Sequence, residues 1–248
     1  MKYRYLLMLA AILMVMNLPA QFYKQTGVEF ESGYVFKGYS DVRIPGDTGD
    51  LFSLSEDLEA RARPYMRIKI LQPLGEKHNL SLLYAPLSIR SRGTLDEAVN
   101  FAGTDFPAGT DVSAKYRFDS YRLTYRYDFV KKPDLVFGMG FTAKIRDAGI
   151  YMKSDGLSGR KTNTGFVPII NFRLYHDIDE RFGVLLEGDA LAAPQGRAED
   201  VQLAGIYKYS RHWKFKLGYR MLEGGADNDE VYNFAWINYI MLGVEINQ

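Results

Sequence analysis

The sequence contains no cysteine and only three histidines among its 248 residues. The lack of cysteine excludes disulfide cross-links and every form of thiol chemistry. After residue 20 the sequence has no run approaching ~18 consecutive apolar residues, so it predicts no transmembrane helix. We expect the folded chain to be held together by hydrogen-bonded strands alone.

The sequence also lacks a surplus of charge of either sign. It has 31 basic and 30 acidic residues, which gives a formal net charge of +1. Loss of Lys2 and Arg4 with an export segment would change this value only to −1, because that segment holds no acidic residue. The balance gives no reason to expect a nucleic-acid partner.

The N-terminus predicts an export signal. A basic start precedes the apolar run 6–16, and Ala20 provides a small residue before a cut at Gln21. The run is too short to cross a bilayer, although an uncleaved membrane anchor is the alternative. We therefore predict a signal peptide over 1–20 and one domain over 21–248.

What the sequence does contain is a repeated alternation of apolar and polar residues. In one segment Leu123 and Tyr125 alternate with Arg122 and Arg126. Period two over this length is typical of half-buried β-strands and not of helices. The predicted strands are 26–41, 59–71, 79–91, 115–129, 135–146, 165–176, 182–192, 199–209, 212–222 and 232–247. Ten antiparallel strands follow, or eight if one hairpin is misread.

The polar faces of these strands are crowded with arginine, which cannot enter an ordinary apolar core unpaired. Either the polar faces lie in water, as in a soluble lipocalin-like barrel, or the apolar faces contact lipid and the charges line a lumen. Two features favour the second arrangement. The strands are long enough to cross a bilayer when tilted, and long and short connections alternate, which is typical of membrane barrels. The predicted long loops are 42–58, 92–114, 147–164, 193–198 and 223–231.

The whole mature chain resembles the bacterial outer-membrane β-barrel superfamily in its export signal, alternating strands, loop asymmetry and aromatic strand ends. The resemblance implies an antiparallel up-and-down transmembrane β-barrel in the outer membrane of a Gram-negative bacterium. It also implies contact with membrane lipid and lipopolysaccharide, and an outer-membrane assembly machinery as partner. No feature of the sequence requires a cofactor or a metal ion.

The predicted register turns a set of charged side chains into the lumen. They are Arg61, Arg63, Arg67, Arg122, Arg126, Lys144, Arg146, Arg173, Lys216 and Arg220, with Glu29, Glu31, Asp128, Glu187, Asp189 and Glu245. Because unpaired buried charge is costly and a ten-strand barrel is narrow, we expect arginines and carboxylates to form a salt-bridged plug. The alternative is a narrow aqueous path whose surplus positive charge favours anions.

The histidines give little support to catalysis. Small barrels that resemble this chain include proteases and lipid A acylases or deacylases, which place an essential histidine near the extracellular rim. Here His78, His176 and His212 all fall in or beside short connections, on the predicted periplasmic side. We predict no catalytic residue and a non-enzymatic role, structural or as a narrow channel. A lipid- or peptide-modifying enzyme and a surface-loop binding protein are the alternatives.

The sequence also gives predictions for two loops and for three prolines that lie inside predicted strands. The acidic segment 222–230 is either a weak calcium-binding candidate or a flexible hairpin loop. Phe101 and Phe106, in the predicted loop 95–111, are expected to contact a partner or to fold over the mouth. Prolines inside predicted strands suggest β-bulges, above all near Pro86, where the alternation changes phase. The prolines are Pro64, Pro86 and Pro168.

Overall fold

The computed structural model describes residues 26–194 and 196–247, so the predicted signal peptide 1–20 lies outside the described residues. Every regular element is a strand: β1 (Gly27–Arg43), β2 (Phe52–Ser53), β3 (Glu59–Ala60), β4 (Arg63–Pro73), β5 (His78–Ala85), β6 (Ser88–Thr94), β7 (Val99–Phe101), β8 (Thr104–Phe106), β9 (Asp111–Lys131), β10 (Leu135–Lys153), β11 (Ser158–Asp177), β12 (Phe182–Ala193), β13 (Gly196–Lys208), β14 (Trp213–Asn228) and β15 (Val231–Asn247). Within these ranges no helix is long and apolar enough to cross a membrane.

Ten antiparallel strands close into a barrel, as predicted. Chain neighbours pair as hairpins, and β15 pairs with β1 along its length, from Gly27–Asn247 to Arg43–Tyr232. Segments β5 and β6 both pair with β9 and together form one wall strand. The short β2 and β3 attach to β1 and β6, and β7 and β8 form a separate hairpin. Closure satisfies the backbone groups that would otherwise face lipid unpaired.

The two ends of the barrel differ. Short turns occupy 74–77, 132–134, 178–181 and 209–212 at the end where Gly27 and Asn247 meet, which we call the periplasmic end after the prediction. In the turn 178–181, hydrogen bonds from the backbone N–H groups of Arg181 and Phe182 hold the pKa of Asp179 below its usual range.

At the opposite, extracellular end, three of the predicted long loops are wrong, and one of them, 193–198, lies mostly in β12 and β13. Most of 147–164 is strand, with a turn only at 154–157, and most of 223–231 is strand with a turn at 229–230. As a result β10 has 19 residues and β11 has 20, whereas a membrane crossing needs about ten. These strands therefore extend well beyond a bilayer.

A continuous apolar belt surrounds the barrel on its outer surface. Phe141 is 72% exposed and Leu217 is 62% exposed, and neighbouring strands add Leu203, Ile240 and Leu242 at the same level. A belt of large apolar side chains this exposed faces lipid, because soluble proteins rarely expose contiguous apolar surface of this extent. The inside-out arrangement predicted for these strands is therefore the one found.

On the extracellular side of the belt, the apolar side chains lie on the inward face of the strands instead of the outward face. On β9 the belt residues Tyr121 and Leu123 point outward, but Val112, Ala114 and Tyr116 point inward and are buried. They join a core that includes Phe52, Leu54, Leu58, Ile89, Phe101, Phe106, Ile150 and Met152. The extracellular ends of the strands, with β2, β3 and the β7–β8 hairpin, thus form a conventionally packed part that we call the extracellular lobe.

This reversal corrects the predicted bulge at Pro86. Ala85 pairs with Ser120 and Ser88 pairs with Arg117, so the register continues unbroken past the proline. The phase change in the sequence marks the passage from lipid to water: Leu82 faces outward below Pro86, and buried Ile89 faces inward above it.

Pro64 and Pro168 also keep their register, with Tyr34 and Ala143. Each lies where its strand is paired on one side only, because β4–β5 pairing begins at Ile68 and β11–β12 pairing ends at Ile170. Proline, which lacks a backbone donor, is tolerated at such unpaired edges without a bulge.

Candidate functional site

The middle of the lumen is filled by a layer of three arginines and three carboxylates. Asp200 accepts hydrogen bonds from Arg67 at 3.1 Å, from Arg122 at 2.6 Å and from Arg220 at 2.7 Å. Arg220 also donates to Glu31 at 2.7 Å. All of these side chains are buried. Charge-assisted bonds of this kind are the strong ones, and here they cross the barrel from wall to wall.

The remaining contacts complete this layer. Arg122 donates to Asp189 at 2.6 Å and so bridges Asp189 and Asp200, which are register partners on β12 and β13. Two like charges directly opposite each other would repel, and the shared guanidinium removes this cost. Tyr65 donates its hydroxyl to Glu31 at 3.0 Å. We call these seven side chains, together with the paired charges on their periplasmic side that are described next, the ionic plug.

A second layer of paired charges lies on the periplasmic side of the first. Glu187 binds Lys69 and lies 3.2 Å from Arg173, and Lys216 lies 2.6 Å from Glu29. Each of these pairs joins different strands. Further toward the periplasmic end, the pairs are Arg126 with Asp128 and Lys214 with Glu245.

The plug divides the interior into separate spaces. A vestibule of about 310 Å³ opens toward the periplasmic end, and a cavity of about 450 Å³ lies on the extracellular side. Between them, at Arg67, Arg122 and Asp200, only about 30 Å³ remains, room for about two water molecules. The lumen is therefore closed at the level of the plug.

Most of the charges predicted to line the lumen do face it. Glu29, Glu31, Arg67, Arg122, Arg126, Lys144, Glu187, Asp189, Lys216 and Arg220 are buried inside, and Arg173 is half-buried against Glu187. Arg63 and Arg146 lie half-buried above the plug. The prediction that Arg61 faces the lumen was wrong. This residue lies between β3 and β4 outside the barrel wall, and its side chain is 83% exposed and paired with Glu59.

The prediction missed the residue that joins the most partners. Asp200 and Gln202 face inward on β13, opposite the outward Leu203, but this strand also turns Ala204 and Ile206 inward. Its inner face is therefore mixed, and the polar signal is weak. Lys69 was also missed as a site residue, although it alternates regularly with Arg67 on β4.

The three histidines lie at the periplasmic end, where the sequence placed them. Their rings make local contacts: His78 with the Tyr125 hydroxyl at 2.7 Å, His176 with a backbone carbonyl at 3.0 Å, and His212 with the carbonyl of Asn247 at 3.0 Å. Each contact ties a turn to the barrel end.

The acidic segment 222–230 forms the end of β14 and the turn at 229–230. The Asn228 side chain accepts hydrogen bonds from the backbone of Glu230 and Val231, both at 3.0 Å, and Glu230 pairs with Lys161 at 2.9 Å. Across residues 26–194 and 196–247 no cluster of three or more acidic or histidine side chains is arranged to hold a metal ion.

Phe101 and Phe106 fold over the mouth, one of the two roles expected for them. Both are fully buried in the extracellular lobe, and Phe101 packs edge-on against Phe52 with ring centroids 5.8 Å apart. The β7–β8 hairpin is thus part of a packed core.

No family model matches the chain, and no curated protein does. Solved structures do. The outer membrane protease OmpT from Escherichia coli is similar over 91% of this chain and 97% of its own, with a TM-score of 0.56 and 8% identity. Ail, the attachment invasion locus protein of Yersinia pestis, was solved with the heparin analogue sucrose octasulfate; it covers 90% of this chain and 99% of its own, with a TM-score of 0.40 and 10% identity.

The translocator domain of the autotransporter NalP from Neisseria meningitidis covers 97% of this chain and 93% of its own, with a TM-score of 0.48 and 11% identity. At these identities the likeness concerns the fold, and the OmpT structure carries it. Together with the closed ring of ten strands, the lipid-facing belt and the charged lumen, it shows that the chain has the fold of the outer-membrane β-barrels.

Proposed function

We propose that the protein is a structural, non-enzymatic outer-membrane barrel with a closed lumen, which holds its extracellular lobe rigidly at the cell surface. The observation that carries the proposal is the ionic plug, in which one carboxylate, Asp200, binds arginines from three different strands. The plug leaves too little space for a hydrated ion to pass.

The energetics of the plug support a structural role. An ion that crossed the layer would have to separate buried pairs such as Arg220 with Glu31, and breaking one buried pair costs about 3–5 kcal/mol. In the main layer three arginines face three carboxylates, so the charges of these six side chains balance. The extracellular lobe adds a packed apolar core beyond the plug.

A narrow anion-leaning channel is the second candidate. The periplasmic vestibule favours it, since this space is lined by Arg126, Arg173, Lys214 and Lys216. Conduction would then require the plug to rearrange.

Ion conductance in a planar bilayer separates the two roles. We expect the mature protein, refolded in detergent, to give no unitary steps, while Asp200→Ala, which removes the carboxylate shared by three arginines, gives a measurable leak. Stable unitary steps with anion preference in the unaltered protein, reduced by Arg122→Ala or Arg126→Ala, would overturn the structural role. Resistance of the folded form to unfolding on an unheated gel confirms that each sample contains barrel.

The proposed absence of catalysis needs its own test, because OmpT, which shares the fold, is a protease. The histidines here lie at the opposite end from the cell surface. Incubation of the folded protein with a peptide mixture and with lipopolysaccharide, followed by mass spectrometry, is expected to leave both unchanged. Conversion that tracks the amount of folded protein would contradict the proposal.

A further inference from the structure

The wall of the barrel has a gap on the extracellular side of the plug. Pairing between β11 and β12 ends at Ile170–Ala190, but β11 continues to Ser158, paired only with β10. The strand β12 stops early and turns back into β13 at Ala193–Gly196. Farther out, Lys161 on β11 reaches Glu230 in the β14–β15 turn at 2.9 Å and frames the gap from above. We call this opening the side window.

Behind the side window lies the extracellular cavity of about 450 Å³. Residues on both edges of the window line it, Phe166 and Val167 from β11 and Leu191 and Ala193 from β12, so the cavity and the window are continuous. Phe118, Leu222 and Ile237 add apolar surface. The volume is within the range of small-molecule sites, about 300–1,000 Å³.

The cavity contains a buried lysine that forms no direct ion pair with any described residue. Lys144 is 2% exposed, and among the described residues its ammonium forms no salt bridge; its closest recorded contact is the ring of Phe118, with the centroid at 4.8 Å. It also lies directly opposite Arg122 on the neighbouring strand, which adds like charge. Asp189 and Asp200 attract Lys144 only from a distance, and a buried ammonium without a carboxylate in direct contact is costly, so the site has room for a further anionic partner.

Two further groups near Lys144 have unused hydrogen-bonding capacity. The Nε of Arg146 is buried without a partner, while its Nη2 donates to Asn163 at 3.0 Å. The side-chain oxygen of Asn233, on the far wall of the cavity, is also buried without a partner. The three arginines of the main layer of the plug differ in this respect, because each of them is paired with a carboxylate.

The side window lies at the outer edge of the apolar belt. Ile145 and Phe166 are register partners, and they expose 49% and 66% of their surface toward the lipid side. Lys144 and Val167 are the next pair of partners, and both line the cavity. A molecule at the boundary of the outer leaflet would therefore reach Lys144 by moving sideways through the wall.

We propose that the side window admits an amphiphile with one anionic head group and an alkyl chain, whose head group binds Lys144 and Arg146 inside the cavity. The chain passes between Phe166 and Leu191 toward the lipid. This site goes beyond the structural role proposed above and does not depend on it, because the ligand enters from the membrane and never crosses the plug.

Three probes with the same chain test the site: dodecyl phosphate, dodecanoate and the neutral dodecanol. Native mass spectrometry of the mature protein, released from maltoside micelles, counts bound probe. We expect saturable one-to-one binding of an anionic probe and none of dodecanol. Binding of both anions would indicate a site for any alkyl monoanion, whereas binding of the phosphate alone would point to a phospholipid or lipopolysaccharide source. Dodecanol binding equal to that of the anions would overturn the proposal.

The variants locate the binding. Lys144→Met and Arg146→Gln are each expected to weaken anion binding at least tenfold, and Lys153→Gln, an exposed position on the same strand, is expected to leave it unchanged. Lys144→Met should fold at least as well as the parent, because it removes an unpaired buried charge. Ala193→Phe, which narrows the side window and leaves both cations in place, should also abolish binding. Unchanged binding in these three cavity variants would refute the site.

Discussion

At the scale of single residues, Asp200 joins parts of the chain that are far apart in sequence. It binds Arg67, Arg122 and Arg220, which come from β4, β9 and β14, and each of these arginines has another acid nearby. The alternation of the sequence correctly predicted that arginines and acids would share the lumen. It could not predict which arginine pairs with which carboxylate, because that pairing depends on which strands face each other across the closed ring.

Asp200→Asn is expected to destabilise the barrel by about 3–5 kcal/mol, since it leaves arginines buried without their shared carboxylate. The measurement is the free energy of unfolding in urea, with the protein in lipid vesicles. Glu59→Gln is the control, because the pair of Glu59 with Arg61 is exposed and such pairs contribute at most about 1 kcal/mol. A loss for Asp200→Asn no larger than the control would mean that the arginines re-pair with Glu31 and Asp189.

At the scale of the element, each long strand crosses two environments. On β10 the outward face carries Phe141 in the lipid belt and Tyr151 ten residues farther along in the extracellular lobe. Ile150 and Met152 are buried on the inward face at that height. The sequence predicted the membrane parts of the strands well, since their two faces differ strongly. It missed the outer parts because short polar and glycine residues there obscure the alternation.

The two environments predict opposite tolerance to charge on one face of one strand. Phe141→Arg places a guanidinium near the middle of the lipid belt and should cost about 2–4 kcal/mol. Tyr151→Arg, on the same face but outside the belt, should cost less than about 1 kcal/mol. Unfolding of both variants in vesicles tests this. Equal effects would mean that the belt has been placed at the wrong height.

At the scale of the whole molecule, a membrane barrel and a water-exposed lobe share the same strands. The strand number, the antiparallel order and the polar lumen were all predicted from alternation and connection lengths. The lobe was not, because its core combines pieces from separate regions, such as Leu54, Ile89 and Phe101, that carry no common pattern in the sequence. Their packing depends on barrel closure.

Replacement of 97–108 by a short Gly-Ser linker should expose the lobe core, because it removes the buried Phe101 and Phe106. We expect the lobe to become sensitive to protease added outside intact cells, while the membrane barrel keeps its resistance to unfolding on an unheated gel. Replacing only Asp155-Gly156 in the β10–β11 turn is the control and should change neither property. A lobe that stays resistant without the hairpin would show that 97–108 is a dispensable loop.

The seam between β1 and β15 has a consequence for biosynthesis. The first and last described strands are partners from Gly27–Asn247 onward, so the ring gains its final row of hydrogen bonds only when β15 has been made. Until then both β1 and the growing end are open edges that accept any strand of compatible register. A protein that lost β15 would keep an unpaired strand edge in the bilayer. A neighbouring copy could pair one of its own strands with this edge, and repeated exchange would produce a domain-swapped oligomer.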